Sequence, residues 1–548
     1  MRSPKSIGGN SMLKAKFDGL LRTIKRDKLS QLILTLTLLH LIPIWAFKYF
    51  PSQDGPCHLE NSYMLLRYFD SDLIYSRYYD LNIAPFPNWF SHLALASLMI
   101  LFPPLIAEKI LLTGYVLLFV CSMLYFLASV DAKSRSYILL AFPFIYNYLL
   151  HMGFYNFSFS FPLMFLTIGW WFRRRDELKP RTILWLNLLL IWLYFCHIVS
   201  QLLAIGSILL LAAAYNGLRV RRTALLAASL SPSYAFPIYY ILSRGTARGA
   251  RWPTDKLLSY FGEIGSLTSY DAREYWVGKA LAILFAVLVV YTLAHRSGLF
   301  GGGRPRLKLR DAFFALSAVL TLLYFYMPDS MSGGGFITSR LNLYPFIAIL
   351  PWLSPDVWRP LKRLLMGVAL AIIMIHLGFT AYYYRLLNEG LEEYTAAIDL
   401  VSENETILPI SFNHTGGDSL RIGLYLHAAG YYCIARKGVV ELDNYEGATG
   451  YFPLKYKPEM NPFLIMGCIE CMTGDIHPEK YPVPIDYVLL WCPKDEFPAK
   501  GWIEENYELV LSRGRIRFYR RVGSAARGSR AAGGSTGQSI GGLPNSSP

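Results

Sequence analysis

Charge is what this chain has least of. Charged residues fill 17% of its 548 positions, while 53% are apolar. A soluble domain carries about 25% charged residues, so a water-soluble globular fold is excluded. The chain also lacks a phosphate-cradling P-loop, a dinucleotide-binding glycine pattern and a serine-nucleophile elbow. Nucleotide-driven transport and hydrolase chemistry fall with them. Its one glycine run, Gly301-Gly302-Gly303, follows an apolar stretch and precedes basic residues, which predicts a flexible cytoplasmic loop. No internal repeat is found, which counts against a transporter built from paired broken helices.

Apolar length is what the chain does have. Mean hydropathy is +0.31. The stretches 29–50, 105–130, 154–172, 223–242, 277–294 and 361–384 approach or exceed the length a bilayer crossing needs. Shorter apolar stretches lie at 88–103, 137–151, 182–215, 312–327 and 340–353. This pattern predicts a polytopic integral membrane protein.

The net charge of +15 could suggest a nucleic-acid partner, but its placement predicts none. Basic residues crowd 1–30, Arg173-Arg174-Arg175, 219–222, 304–310 and 359–363, each a short segment beside apolar stretches. That is the positive-inside pattern, which orients a protein in its membrane. The first apolar stretch is long, and Ala46-Phe47-Lys48-Tyr49-Phe50 offers no small-residue cleavage site, so an uncleaved anchor is expected. With the basic loops cytoplasmic, loop 51–92 and everything after 384 lie outside, and an odd count of about eleven spans fits. Either 88–103 is re-entrant and 137–172 makes two spans, or 88–103 crosses and 137–172 is one broken crossing. Stretch 182–215 is expected to break near His197.

The expected architecture is therefore mostly α, with four parts. A basic cytoplasmic segment (1–30) precedes a helical membrane domain (31–384) whose first outer loop is 51–92. An extracytoplasmic α/β domain (385–522) follows, then a disordered Gly/Ser-rich tail (523–548). In the outer domain 406–410, 439–442, 487–491, 507–512 and 515–521 read as strands, with Arg513-Gly514 as a turn. Stretches 392–401 and 419–429 read as helices. Cys433, Cys468, Cys471 and Cys492 lie in this domain, where an oxidising compartment favours two disulfides over free thiols or half a metal site. Cys121 and Cys196, in apolar helices, read as packing residues.

The first outer loop begins Ser52-Gln53-Asp54-Gly55-Pro56-Cys57-His58-Leu59-Glu60. Gly55-Pro56 fits a helix start, followed by an amphipathic helix resting on the membrane surface. Asp54 is then either a helix cap, worth about 1 kcal/mol, or a general base or cation ligand, with His58 over the same face. His151-Met152-Gly153-Phe154-Tyr155-Asn156-Phe157 interrupts two apolar stretches, and Tyr194-Phe195-Cys196-His197-Ile198-Val199-Ser200-Gln201 interrupts a third. Ionisable groups at membrane depth usually face a cavity or the protein interior, and both breaks open toward Asp54 if 137–172 makes two spans. Arg340, after Gly333-Gly334-Gly335-Phe336-Ile337-Thr338-Ser339, suits a bidentate phosphate clamp or a snorkelling anchor. Basic residues of 243–276 read either as lipid-phosphate contacts or as partners of Asp255, Glu263, Asp271 and Glu274.

These residues carry a resemblance. Asp54-Gly55-Pro56-Cys57-His58-Leu59, Gly153-Phe154-Tyr155-Asn156-Phe157, Tyr194 with His197, Phe336-Ile337-Thr338-Ser339-Arg340 and Tyr451-Phe452-Pro453-Leu454 resemble bacterial members of the GT-C superfamily of polytopic glycosyltransferases. The resemblance covers most of 30–520. It implies transfer of a sugar from a polyprenyl-phosphate lipid to a glycan, lipid or protein acceptor at the outer face of a bacterial inner membrane. It implies Asp54 and His58 as catalytic residues. Arg340, His151, Asn156, His197, Gln201 and Glu60 are the residues expected to contact substrate or lipid phosphate. It assigns no certain cofactor and no metal ligand, but admits a divalent cation. Family members often carry a second acidic motif in a later outer loop, and no clear equivalent is visible here. The competing readings are a flippase or transporter of lipid-linked intermediates and a non-enzymatic envelope-polysaccharide assembly protein.

Overall fold

A computed structural model describes residues 27–177, 179–297 and 308–523. Most of the basic N-terminal segment, the Gly301–Gly303 loop and nearly all of the tail lie outside the described residues. Among those described, six helices are long and apolar enough to cross a membrane: Lys28–Ala46, Pro104–Val130, Ile198–Asn216, Glu274–Arg296, Leu309–Tyr326 and Arg359–Leu400. A bent pair, Val220–Ser229 and Ser231–Arg244, makes up to seven. Expected stretches 137–151 and 340–353 are instead strings of short helical turns, broken at Pro143, Pro345 and Pro351. Proline lacks the amide that a continuing helix needs.

Packing fixes the two ambiguous stretches. Pro180–Cys196 and Ile198–Asn216 are separate helices with His197 extended between them at φ −162°, the break expected there. Helix Phe90–Met99 has 10 residues, so it is about 15 Å long, half the hydrocarbon thickness. Its sequel at Pro103–Pro104 lies beside Lys48, Tyr49, Tyr431 and Ile434, on the face that carries the C-terminal domain. The segment starts and ends on that face, the course expected of the re-entrant alternative. The next helix packs tightly on Tyr155–Arg174, because a Cβ on Gly169 would stand 3.0 Å from the Phe126 Cα.

The C-terminal domain is built on a five-stranded mixed sheet, in the order β3-β2-β5-β7-β6. Its strands are β2 (Thr406–Ser411), β3 (Val440–Glu441), β5 (Tyr487–Trp491), β6 (Tyr507–Arg513) and β7 (Ile516–Arg521). Every residue of β2 and β5 is buried, as the unbroken apolar run Tyr487-Val488-Leu489-Leu490-Trp491 requires of a strand covered on both faces. Gly514, at φ +51°, makes the β6–β7 turn. The membrane helix Arg359–Tyr394 runs into this domain without a break, so 385 is not a structural boundary. The expected helix 419–429 is a turn region, with the helix Gly430–Ala435 following it.

Two contacts join this domain to the first loop. β1 (Tyr79–Leu81) pairs antiparallel with β4 (Leu454–Tyr456), and Asn82 Nδ2 donates to the carbonyls of Gly450 and Phe452. Helix Gly55–Leu66, expected on the membrane surface, is buried from Gly55 through Met64. Its polar face is not wetted, because the C-terminal domain covers it. A Cβ on Gly430 would stand 2.7 Å from the Pro56 carbonyl oxygen.

Candidate active site

Asp54 sits at the start of helix Gly55–Leu66, yet its side chain makes no capping hydrogen bond. Its carboxylate turns away from the helix and accepts from Gln53 Nε2 at 3.1 Å and from the Tyr445 hydroxyl at 3.1 Å. That removes the cap as the reason for this residue. The backbone is pinned from the other side: the amides of Gln53 and Asp54 donate to the carbonyls of His151 and Met152 at 3.0 and 3.1 Å. Gly153 follows at φ +83°, where a Cβ would stand 2.5 Å from the Gly55 amide nitrogen. The break at 151–154 thus exists to seat Asp54, and only glycine fits at its third position.

Burial is the main influence on Asp54 and raises its carboxyl to about 7, against the pull of His58, Gln53 and Tyr445. His427 Nε2 lies 3.6 Å from Asp54 Oδ1. This contact is not a fixed ion pair, since burial, the leading cause, drives His427 down to about 3. Near neutral pH a neutral imidazole therefore faces a carboxyl at its titration midpoint.

Asp54 opens onto a cavity of about 330 Å³ between the membrane domain and the C-terminal domain. Of the residues predicted from sequence, His58, Asn156, His197 and Arg340 line the same cavity. Arg340 is buried, with its guanidinium over Phe154 at 4.8 Å and Phe157 at 5.5 Å. It donates to the Gly335 carbonyl, its Nε has no partner, and no carboxylate pairs with it among the described residues. Phe336, left-handed at φ +57°, starts the short helix that carries it. His197 faces the cavity with an unpartnered Nδ1. Asn156 also lines the wall, but its amide is spent on the re-entrant segment, accepting from the Ser91 amide at 2.8 Å and donating to the Asn88 carbonyl at 3.0 Å.

Three predicted residues are not at the cavity. His151 is held between the Ser269 and Tyr384 hydroxyls at 2.7 and 3.0 Å. Gln201 donates to the Ser233 carbonyl at 2.7 Å, one turn of helix beyond the break that exposes His197. Glu60 points from the far side of its helix toward Glu441 and Cys433, and burial and then Glu441 raise its carboxyl well above the usual range.

The C-terminal domain brings further acidic side chains to the neighbourhood of the first loop. Tyr445 and Glu446 reach Asp54 and His58 of the first loop, and Tyr445, His427 and Glu470 line the cavity. The run Glu441-Leu442-Asp443-Asn444-Tyr445-Glu446 carried the signal, three carboxylates within six residues after a strand. His92 gave no such signal, as a lone histidine in an apolar stretch.

Among the described residues, three groups of donors have ligand atoms within 4.8 Å of one another: His58, His92 and Glu446; Cys57, Glu60 and Glu441; and His427, Asp443 and Glu470. The last stands beside Asp54, and His427 Nδ1 and Asp443 Oδ1 are buried without partners, so these residues fit a divalent cation. Glu470 sits within a short loop closed by a Cys468–Cys471 disulfide, while Cys433 and Cys492 are free thiols. The four cysteines therefore make one local bridge rather than two. The outer arginines also find protein partners: Arg273 pairs with Asp271 at 2.8 Å, and Arg244 stacks over Phe86 and Tyr451.

No protein-family model and no curated protein matches the chain. Among solved structures it is similar to ArnT from Cupriavidus metallidurans bound to undecaprenyl phosphate, with a TM-score of 0.54 and 11% sequence identity. The match covers 90% of this chain and 98% of that one. At this identity the likeness is one of fold, and it extends over the membrane helices and the C-terminal domain together. The chain has a GT-C-like fold.

Proposed function

We propose that the protein is a membrane glycosyltransferase that takes a sugar from a polyprenyl-phosphate donor and passes it to an acceptor hydroxyl at the outer face of a bacterial inner membrane. The observation that carries this reading is the meeting of Asp54 and Arg340 on one cavity. A carboxyl raised to about 7 by burial and an arginine without an acidic partner are what base-assisted displacement of a phosphate needs. The cavity's about 330 Å³ is within the range of small-ligand sites. The fold likeness to a protein bound to undecaprenyl phosphate supports the donor class.

In this reading the acceptor O–H gives its proton to Asp54 as its oxygen bonds to the anomeric carbon. The bond from that carbon to the phosphate oxygen breaks, and the electron pair leaves on the lipid phosphate. Arg340, fixed over two phenyl rings, meets the charge that develops there, and a preorganised donor costs no reorganisation in the transition state. Tyr445 and Gln53 orient the base, and His58 stands beside it. The resemblance admits a divalent cation. His427, Asp443 and Glu470 would hold it, and when bound it would neutralise phosphate charge.

The test is a deletion strain complemented with wild type, Asp54→Asn or Arg340→Ala, followed by extraction of polyprenyl-linked and cell-surface glycans. Wild type restores the missing glycan and both variants, present at equal level in the membrane, do not. Restoration by Asp54→Asn would overturn the reading and favour an assembly role.

A further inference from the structure

Behind the cavity wall lies a second cluster, built from three separate segments. His58 comes from the first-loop helix, His92 from the re-entrant helix Phe90–Met99, and Glu446 from the helix Tyr445–Thr449 of the C-terminal domain. His58 Nδ1 is 3.3 Å from His92 Nε2, and Glu446 Oε2 is 2.7 Å from the same His92 nitrogen. Glu446 Oε1 touches His58 Nδ1. All three side chains are buried, none exposed beyond 3%.

Proton positions decide what this cluster is. His92 Nδ1 lies 3.2 Å from the Asn88 carbonyl oxygen, where a ring proton finds an acceptor. Nε2 is then left with a lone pair aimed at a carboxylate and at a second imidazole nitrogen. Three such ligand atoms facing one another in a dry interior repel unless a proton or a metal cation lies among them. Glu446 Oε1 adds a second sign, because it touches His58 yet makes no hydrogen bond of acceptable geometry. A ring nitrogen whose partner N–H is tied to a backbone carbonyl is the usual arrangement around a metal-binding histidine.

We propose that His58 Nδ1, His92 Nε2 and the Glu446 carboxylate hold a zinc-class divalent cation. Two imidazoles and a carboxylate are a donor set that zinc takes. Tetrahedral ligands at about 2.1 Å from the ion stand about 3.4 Å apart, close to the 3.3 Å His58–His92 separation, and the Glu446 carboxylate, 2.7 Å from His92, moves outward to admit the ion. The ion ties the C-terminal domain to the first loop and the re-entrant helix, which seats the neighbouring Tyr445 hydroxyl on Asp54. It involves neither Asp54 nor the His427 group, and it stands whichever reaction the cavity performs.

The experiment uses the full chain, purified in detergent on a metal-free affinity resin without chelator. Its metal is counted by inductively coupled plasma mass spectrometry. Wild type should carry about one zinc per chain, and His92→Ala and Glu446→Gln should lose it at least about tenfold. His477→Ala, at a histidine on the surface, should keep it. Because the buried variants can misfold, the wild type is also stripped with dipicolinate. Its unfolding midpoint should fall, and added zinc should restore it. A metal-free wild type whose unfolding zinc does not move would overturn the proposal, leaving a carboxylate between a neutral ring and an imidazolium.

Discussion

Asp54 and Glu446 are two buried carboxylates either side of His58, and their surroundings drive them in opposite directions. Both are cut off from solvent, at 4% and 0% exposure, and for both burial is the leading influence and favours the neutral acid. Glu446 nevertheless ends at about 2, because His92 and His58 overcome that penalty. Asp54 ends at about 7, because burial outweighs the pull of His58, Gln53 and Tyr445. Equal burial thus leaves one carboxyl held below the usual range and the other raised toward neutral pH. When neighbours push two acids apart in this way, their roles separate too. Glu446 holds structure together, and Asp54 is free to exchange a proton.

Replacing the acids one at a time breaks the comparison most sharply. Asp54→Asn should lower transfer about 10²–10⁴-fold, the range for loss of a general base. It should leave the unfolding midpoint within about 4 °C, since a buried acid is exchanged for an amide of equal shape. Glu446→Ala should do the reverse in kind. It should cost about 3–5 kcal/mol of stability, as expected when one partner of a buried charge cluster is removed, read as a fall in the thermal midpoint. A Glu446→Ala protein as stable as wild type would mean that Glu446 is not the anchor described here.

Gly153→Ala tests the seat beneath Asp54. The strained backbone and the contact with the Asp54–Gly55 peptide should cost about 1–3 kcal/mol. The fall in kcat should exceed the fall in amount of folded protein, because the displaced atoms belong to the base. The gentlest test is pH. With Asp54 raised to about 7, kcat should climb about tenfold per unit below neutrality and level off above it. The stability effect has the opposite sign. The folded state binds this proton more tightly than the unfolded chain, so Asp54's contribution is complete below about pH 4 and is lost as pH rises through about 7. Asp54→Asn should abolish that limb of the stability profile.

Local pattern and elementary energetics made much of the framework legible. Strand Tyr487–Trp491 could be read from an unbroken apolar run, and the hairpin turn from Arg513-Gly514. The break at His197 followed from a polar interruption of an apolar stretch. Asp54, His58, Asn156, His197 and Arg340 were visible for a related reason, since each is a polar group where a bilayer tolerates few. The same reasoning put His151 and Gln201 at the cavity, wrongly. A polar group at membrane depth must be satisfied, and Ser269, Tyr384 and the Ser233 carbonyl satisfy these two within the protein. Sequence spacing does not distinguish satisfaction by protein from exposure to a cavity.

By itself, then, the sequence determined that the chain crosses a membrane repeatedly, that a small α/β domain follows, and that the first loop carries reactive groups. These depend on hydropathy and periodicity, which are local. Only the tertiary structure decided that Glu446, His427 and Tyr445 descend on Asp54 from almost four hundred residues away, that helix Gly55–Leu66 is buried and that Asp54 is no cap. The physical reason is that burial and neighbours set a carboxylate's behaviour. Both are properties of the folded assembly, and no stretch of chain contains them.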